Sequence, residues 1–219
     1  MGVSRSLGEY AGTGDTGALR RGFGHYVRTG YGGAGTAARR MGGTAATAGS
    51  LGGALSGLAG GQTSAQGAPL DPSVLTGSSA SQIMDAVVDA VRPVDGTQDA
   101  EASRAAIRDA LSELLTRFPD ANLVNLTPDE REFAVESYTA HDVFNRFDLD
   151  VGQTIREKAP SATTALARLK QAREYVKETV AASFRKLKAA GHTLTASRIT
   201  QVVQQALRDT FDVFEGYAE

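Results

Sequence analysis

Residues 160–191, PSATTALARLKQAREYVKETVAASFRKLKAAG, form the longest regular pattern in this 219-residue chain, and they decide its fold class. Apolar side chains recur there every three or four residues, at Leu166, Leu169, Ala172, Val176, Val180, Phe184 and Leu187. Because an α-helix turns once in about 3.6 residues, this spacing lines them up along one helical face. Pro160 and Ser161 begin the pattern, and Gly191 is a natural C-terminal cap. We therefore predict a long amphipathic helix between Ser161 and Gly191.

The same periodicity continues on both sides of this stretch. It predicts helices over residues 80–91 and 98–117, from Thr127 to about Phe147, and from Thr195 onward. The sequence Thr127-Pro128-Asp129-Glu130 is a strong helix start, since Thr127 can cap, Pro128 fits the first turn and Glu130 completes a capping box. No segment alternates with period two for long enough to be a convincing strand. The pattern predicts an all-α fold with a bundle of about five helices over residues 80–219.

The first 70 residues have a different composition. They hold 20 of the 25 glycines and have a net charge of +4, whereas the remaining residues have a net charge of −6. A basic, glycine-rich segment with few large apolar groups is typical of an extended, partly helical N-terminal arm that serves a partner. We predict an arm over residues 1–70, with residues 1–16 disordered alone, and a linker over residues 71–79.

Residues 17–29 of this arm contain a candidate partner-binding helix. Leu19, Phe23, Tyr26 and Val27 lie three, four and seven residues apart, as on one helical face. Arginines interleave with these residues, and the predicted partner-binding set is Leu19, Arg20, Arg21, Phe23, Tyr26, Val27, Arg28, Tyr31, Arg39 and Arg40. An acidic groove in a partner protein is one ligand for such a set. Single-stranded nucleic acid is the alternative, because arginines and aromatic rings also bind phosphates and bases. The chain's net charge of −2 gives no support for stable nucleic-acid binding.

Residues 41–61, MGGTAATAGSLGGALSGLAGG, are uncharged and long enough to span a bilayer. Ala45, Gly49, Gly53, Gly57 and Gly61 fall four residues apart, so a helix here would have one smooth ridge. A flexible tract with accidental spacing is the competing interpretation. Each glycine costs roughly 1 kcal/mol of helix propensity, and large apolar side chains are few. We therefore expect a cytoplasmic protein without a membrane span, and keep a membrane-active effector as an alternative function.

Catalytic motifs are not found in the sequence. The chain has no cysteine, which removes thiolate nucleophiles and cysteine metal sites. It contains no His-Glu-x-x-His, no Gly-x-Ser-x-Gly and no Gly-Lys-Ser/Thr phosphate loop. The many carboxylates are interpreted as solvated helix faces. We predict a protein without catalytic residues, resident metal or cofactor.

Four long stretches together resemble the QatB family, the small accessory proteins of the bacterial Qat anti-phage defence operon. They are GALRRGFGHYVRTGYGGAGTAARRMGGTAATAG (17–49), VVDAVRPVDGTQDAEASRAAIRDAL (87–111), HDVFNRFDLDVGQTIREKAP (141–160) and LRDTFDVFEGYAE (207–219). The resemblance implies an operon with an ATPase (QatA), a QueC-like enzyme (QatC) and a TatD-like nuclease (QatD). It implies a non-catalytic interaction protein and brings no established catalytic residues. QatC is the first expected partner and QatA the second.

The resemblance also gives Gly2 a candidate role. QueC-type enzymes use ATP to activate a deazaguanine carboxylate as an adenylate, which an amine then attacks. Met1 is normally removed before a residue as small as Gly2, and the freed α-amine would have a pKa near roughly 7.7–8.0, against roughly 10.4 for lysine. We predict Gly2 as the acceptor of such a modification. Two alternatives stay open: Gly2 and Ser6 also fit an N-myristoylation pattern, and Gly2 can be an ordinary start residue.

Overall fold

The computed structural model describes residues 2–61, 70–195 and 197–218. These residues are all-α, with ten α-helices, one π-helix and no strand. The α-helices are α1 (Gly2–Thr13), α2 (Thr16–His25), α3 (Ala34–Arg40), α4 (Gly42–Ala59), α5 (Pro72–Leu75), α6 (Ala80–Val91), α7 (Gln98–Arg117), α8 (Pro128–Lys158), α9 (Ala162–Ala189) and α10 (Ile199–Glu215). The π-helix spans Tyr26–Tyr31. Met1, whose removal was predicted, and residues 62–69 of the predicted arm lie outside the described residues.

The chain forms two compact units, each assembled from segments distant in sequence. Unit 1 contains Met1–Gly42, Val143–Gly191 and Gln204–Glu219. Unit 2 contains Gly43–Asp142 and His192–Val203. Each unit therefore combines residues of the predicted arm with residues of the predicted bundle.

Unit 1 has an aromatic core to which the N-terminal helices contribute. Phe23 of α2 stacks on Phe147 of α8 and on Phe214 of α10, with ring centroids 4.3 and 4.7 Å apart. Tyr10 of α1 is fully buried, and its hydroxyl donates a hydrogen bond of 2.8 Å to the carbonyl oxygen of Arg168. Burial of such rings is the main stabilising contribution in a core of this kind.

Unit 2 is built around α4, α6, α7 and the beginning of α8. Its buried side chains include Leu51 and Leu55 of α4 and Ile107 and Leu111 of α7. Arg104 of α7 forms an ion pair with Asp89 of α6 at 2.6 Å, which links these two helices at the surface.

The helix signals of the sequence are confirmed in several places. The capping box at Thr127 forms, since Glu130 Oε2 accepts from the Thr127 N–H at 2.7 Å and Thr127 Oγ1 accepts from the Glu130 N–H at 3.3 Å. Ser161 caps α9 by accepting from the Thr164 N–H. Gly191, just after α9, has a φ of +84°, as an αL cap requires.

Three sequence expectations are wrong. Residues 2–13 are helical rather than disordered, because Leu7, Tyr10 and Ala11 share one face, three and four residues apart, and are buried. Helix α8 continues past Phe147 to Lys158, since no proline occurs before Pro160 and buried Ile155 holds its last turns to the core. Leu166, predicted to lie on the buried face of α9, is 69% exposed.

Candidate functional site

The apolar members of the predicted partner-binding set lie inside the chain's own core. The exposed fractions of Leu19, Phe23, Tyr26, Val27 and Tyr31 are 3, 1, 6, 0 and 7%. These side chains stabilise unit 1 and are not accessible to a partner in this conformation. The accessible part of the set is its arginines.

A partly buried hydrogen-bonded cluster fixes the π-helix. The hydroxyls of Tyr26 and Tyr31 both donate to Asp150 Oδ2 of α8, at 2.7 and 3.0 Å. Burial raises the pKa of both tyrosines, and the negative charge of Asp150 adds to the effect. Both phenols therefore stay protonated and keep donating to the carboxylate. A π-helix has more residues per turn than an α-helix and is rare because it is less stable. The bonds to Asp150 hold the π-helix in place.

Glycine lets the N-terminal helices approach α10 and the residues after it. A Cβ on Gly24 would collide with the backbone of Tyr217 and Ala218. Further along, the Ala34 N–H at the start of α3 donates to Glu215 Oε2 at 2.8 Å. A carboxylate at a helix start satisfies an unpaired N–H and complements the helix dipole. Residues 17–40 are thus attached to α8 and α10 along their length.

The arginines of the set occupy different surroundings. Arg21 is half-buried and bridges to Glu9 at 3.2 Å. Arg20 lies over the rings of Tyr175 and Tyr217, 5.8 and 5.6 Å from their centroids. Both arginine side chains therefore already make contacts within unit 1.

The arginines near the π-helix and at the end of α3 are the most available. Arg28, Arg39 and Arg40 are exposed, and none forms an ion pair with another described residue. Arg40 lies over the ring of Tyr31, 5.5 Å from its centroid, so its guanidinium is close to the π-helix that also carries Arg28. Arg39 donates to Thr36 Oγ1 at 3.0 Å. Exposed guanidinium groups without internal carboxylate partners suit an external anionic partner.

Gly2, the predicted modification acceptor, is the first residue of α1 and lies against an imidazole. A Cβ built on Gly2 would be 2.7 Å from Cγ and 2.9 Å from Nδ1 of His25. A surface cleft of about 410 Å³ opens here, lined by Gly2, Arg5, Ser6, Glu9, Arg21 and His25. Position 2 therefore has room for glycine but not for a larger residue unless His25 moves.

The glycine-rich segment 41–61 is mostly helix α4. Within the predicted ridge, Ala45 is buried, but Gly53 has nothing within 4 Å of its Cβ position. Close approaches occur at Gly49 of the ridge, next to Thr200, and at Gly52 outside it, next to Ile199. In the described residues no helix combines the length and apolarity needed to cross a bilayer.

The described residues contain no group of three or more histidines or carboxylates that could bind a metal ion. His141 is buried with its Nε2 2.9 Å from Glu113 Oε2, and the Ser137 hydroxyl donates to the same oxygen at 2.8 Å. Because the serine and the histidine both bond to the carboxylate and not to each other, this arrangement is not a nucleophile–base pair. It connects α7 with α8.

Comparison with known families identifies the chain. The model of the family described as Qat anti-phage system associated protein QatB matches residues 32–214. The chain belongs to the QatB family. Membership makes it a component of the Qat anti-phage defence system, with an accessory role there. Searches of curated proteins and of solved structures give no match.

The QatB match begins at residue 32, so the residues before it, including Gly2 and the partner-binding candidates up to Tyr31, are described by the structure alone. Sequence reasoning missed the carboxylates that anchor this region, Asp150 for the π-helix and Glu215 for the start of α3. Asp150 was interpreted as part of a solvated helix face, and Glu215 lies 181 residues from the N–H that it accepts.

Proposed function

We propose that the chain is a non-catalytic interaction component of the Qat system and that it engages the QueC-like protein QatC through its N-terminal helices. The observation that supports this is the set Arg28, Arg39 and Arg40, which is exposed and has no carboxylate partner among the described residues. The aromatic residues beside them are buried and hold this surface in one conformation, so little conformational entropy is lost on binding. QatA is the second candidate partner.

Charge reversal of this surface tests the proposal. The triple variant Arg28→Glu, Arg39→Glu, Arg40→Glu is co-expressed with QatC, and the complex is isolated through a tag on QatC. We expect the variant to be lost from the complex, because like charges across an interface repel. The control is Arg185→Glu, an exposed arginine of α9. Retention of the triple variant in the complex would show that the interface lies elsewhere on the chain. The same pull-down with tagged QatA decides between the two candidate partners.

We further propose that Gly2, after removal of Met1, is the acceptor of a nucleobase-type group transferred by QatC. The α-amine would attack the adenylated carboxylate, forming an amide, releasing AMP and losing one proton. The absence of a side chain at Gly2, against the ring of His25, supports a small residue at this position. Because Gly2 is part of α1, it must react at the surface of unit 1, or α1 must first detach from unit 1.

Intact-mass spectrometry of the chain expressed with and without QatC tests the modification. We expect added mass on residues 2–5 only when QatC is present. Gly2→Lys retains Met1 and should block the addition, whereas the charge-reversal control Arg185→Glu should not. An unmodified terminus in cells with active defence would overturn this part of the proposal and leave the interaction role intact.

A further inference from the structure

The cleft at the beginning of α1 has the volume of a small-ligand site. Its size of about 410 Å³ is within the range of known ligand pockets. It lies within unit 1, between the first turns of α1 and the last turn of α2. The missing side chain of Gly2 keeps it open, because a Cβ there would lie 2.7–2.9 Å from the His25 ring.

The charged groups around the cleft leave a positive surplus. Arg21 is matched by Glu9 at 3.2 Å and by Asp15 at 3.8 Å. Arg5 is exposed and forms no ion pair with a described residue. The first turn of α1 contains no acidic side chain, so no carboxylate of that turn offsets the positive end of the helix dipole.

Ser6 is an independent indication of a ligand. It is only 6% exposed, lines the cleft, and makes no side-chain hydrogen bond to the described residues. Buried hydroxyls nearly always have a partner. Thr13 of the same helix shows the usual solution, since its hydroxyl donates to the Glu9 carbonyl at 2.8 Å. The Ser6 oxygen is not one of the buried unpartnered atoms of the described residues, so the hydroxyl is open to the cleft and can donate to a ligand bound there.

We propose that this cleft binds the phosphate group of a small phosphate ester, held by Arg5, Ser6 and His25. A guanidinium, a hydroxyl, an imidazole and the N-terminal N–H groups of a helix together supply donors from several directions, as a tetrahedral oxyanion requires. The cleft is larger than a free phosphate ion, which leaves room for the esterified group. The proposal requires neither QatC nor a modified Gly2.

Titration of the full chain, followed by NMR of its amide groups, tests this site. The probes are AMP, inorganic phosphate and adenosine. We expect AMP and inorganic phosphate to shift the amides of residues 2–6 and of His25, and adenosine to shift none of them. Tighter binding of AMP assigns part of the affinity to the esterified group, while equal binding assigns the site to the phosphate group alone. Either result supports the proposal.

Variants decide whether the binding is specific. Arg5→Gln and Ser6→Ala should each weaken AMP binding by about tenfold, the effect of losing one charge-assisted or buried hydrogen bond. Arg185→Gln, at an exposed arginine of α9 outside the cleft, is the matched control and should change nothing. Both cleft substitutions are compatible with a helix, and circular dichroism confirms that the fold is kept. Equal shifts around all exposed arginines, or unchanged affinity in Arg5→Gln, would overturn the proposal, and so would adenosine binding as tightly as AMP. The intact mass of Gly2 is a separate measurement, so either proposal can fail alone.

Discussion

Phe23 shows at the scale of one residue why the N-terminal segment is structural. It is 1% exposed and stacks on Phe147 and Phe214. We expect Phe23→Ala to lower the free energy of unfolding by about 3–5 kcal/mol, because it leaves a cavity among three rings. Urea denaturation measures this loss, and Leu166→Ala, at a side chain 69% exposed, is a control that should change stability little. A Phe23→Ala protein as stable as the control would contradict the aromatic core.

Tyr10 gives a pH-dependent prediction at the same scale. Burial raises its pKa to about 12, against the opposing effect of the nearby Arg168 charge. In the unfolded chain the phenol ionises near its ordinary pKa of about 10. Tyr10 therefore contributes stability that is fully present below about pH 10 and is lost as the pH rises through about 12.

The variant Tyr10→Phe isolates this contribution from those of the other buried tyrosines. Between about pH 10 and 12, the free energy of unfolding of the unmodified chain should fall by about 2–3 kcal/mol more than that of Tyr10→Phe. Denaturant titrations at several pH values measure the difference. Parallel pH profiles for the two proteins would show that Tyr10 is not buried as described.

At the scale of elements, glycine decides how closely α2 approaches the end of the chain. An alanine Cβ at Gly24 would meet the Ala218 backbone, which cannot move aside as a flexible side chain can. We expect Gly24→Ala to destabilise the protein by about 1–3 kcal/mol despite its better helix propensity. Gly12→Ala in α1 has nothing within 4 Å of its Cβ and should be neutral or stabilising by up to about 1 kcal/mol. Thermal unfolding of both variants makes the comparison, and stabilisation by Gly24→Ala would contradict the close approach.

The helices were predictable wherever local signals determine them. The capping box at Thr127, the cap at Ser161 and the glycine after α9 depend on residues within three or four positions, so the sequence contains all the information. Helix α1 was missed because its glycines and few apolar residues predict disorder. Its stability comes from tertiary burial of Leu7 and Tyr10, which no local pattern reveals.

The candidate site was predicted only in its residue types. Arginines and aromatic residues are interleaved in this segment, but the sequence does not say which of them face outward. Phe23 is buried by Phe147 and Phe214, and Tyr26 is held by Asp150. These partners lie more than 100 residues away in the chain. Long-range pairing of this kind is set by the fold and not by helical spacing.

At the scale of the whole molecule, the predicted boundary near residue 70 remains to be tested. A chain of residues 72–219 lacks Phe23 and the two tyrosines that donate to Asp150. We expect it to have less helix by far-UV circular dichroism and a lower Tm than the full chain, because Phe147 and Phe214 lose their stacking partner. Cooperative melting at the Tm of the full chain would instead show that the first 70 residues are a separable arm.

We propose that exposed arginines on the folded N-terminal segment bind QatC. The most direct test is the Kd of the purified chain for purified QatC, measured by calorimetry at low and at high ionic strength. We expect binding that weakens with salt, an affinity at least about tenfold lower in Arg28→Glu, Arg39→Glu, Arg40→Glu, and an unchanged Kd in Arg185→Glu. A Kd that is the same in the triple variant and in the unmodified chain would contradict it.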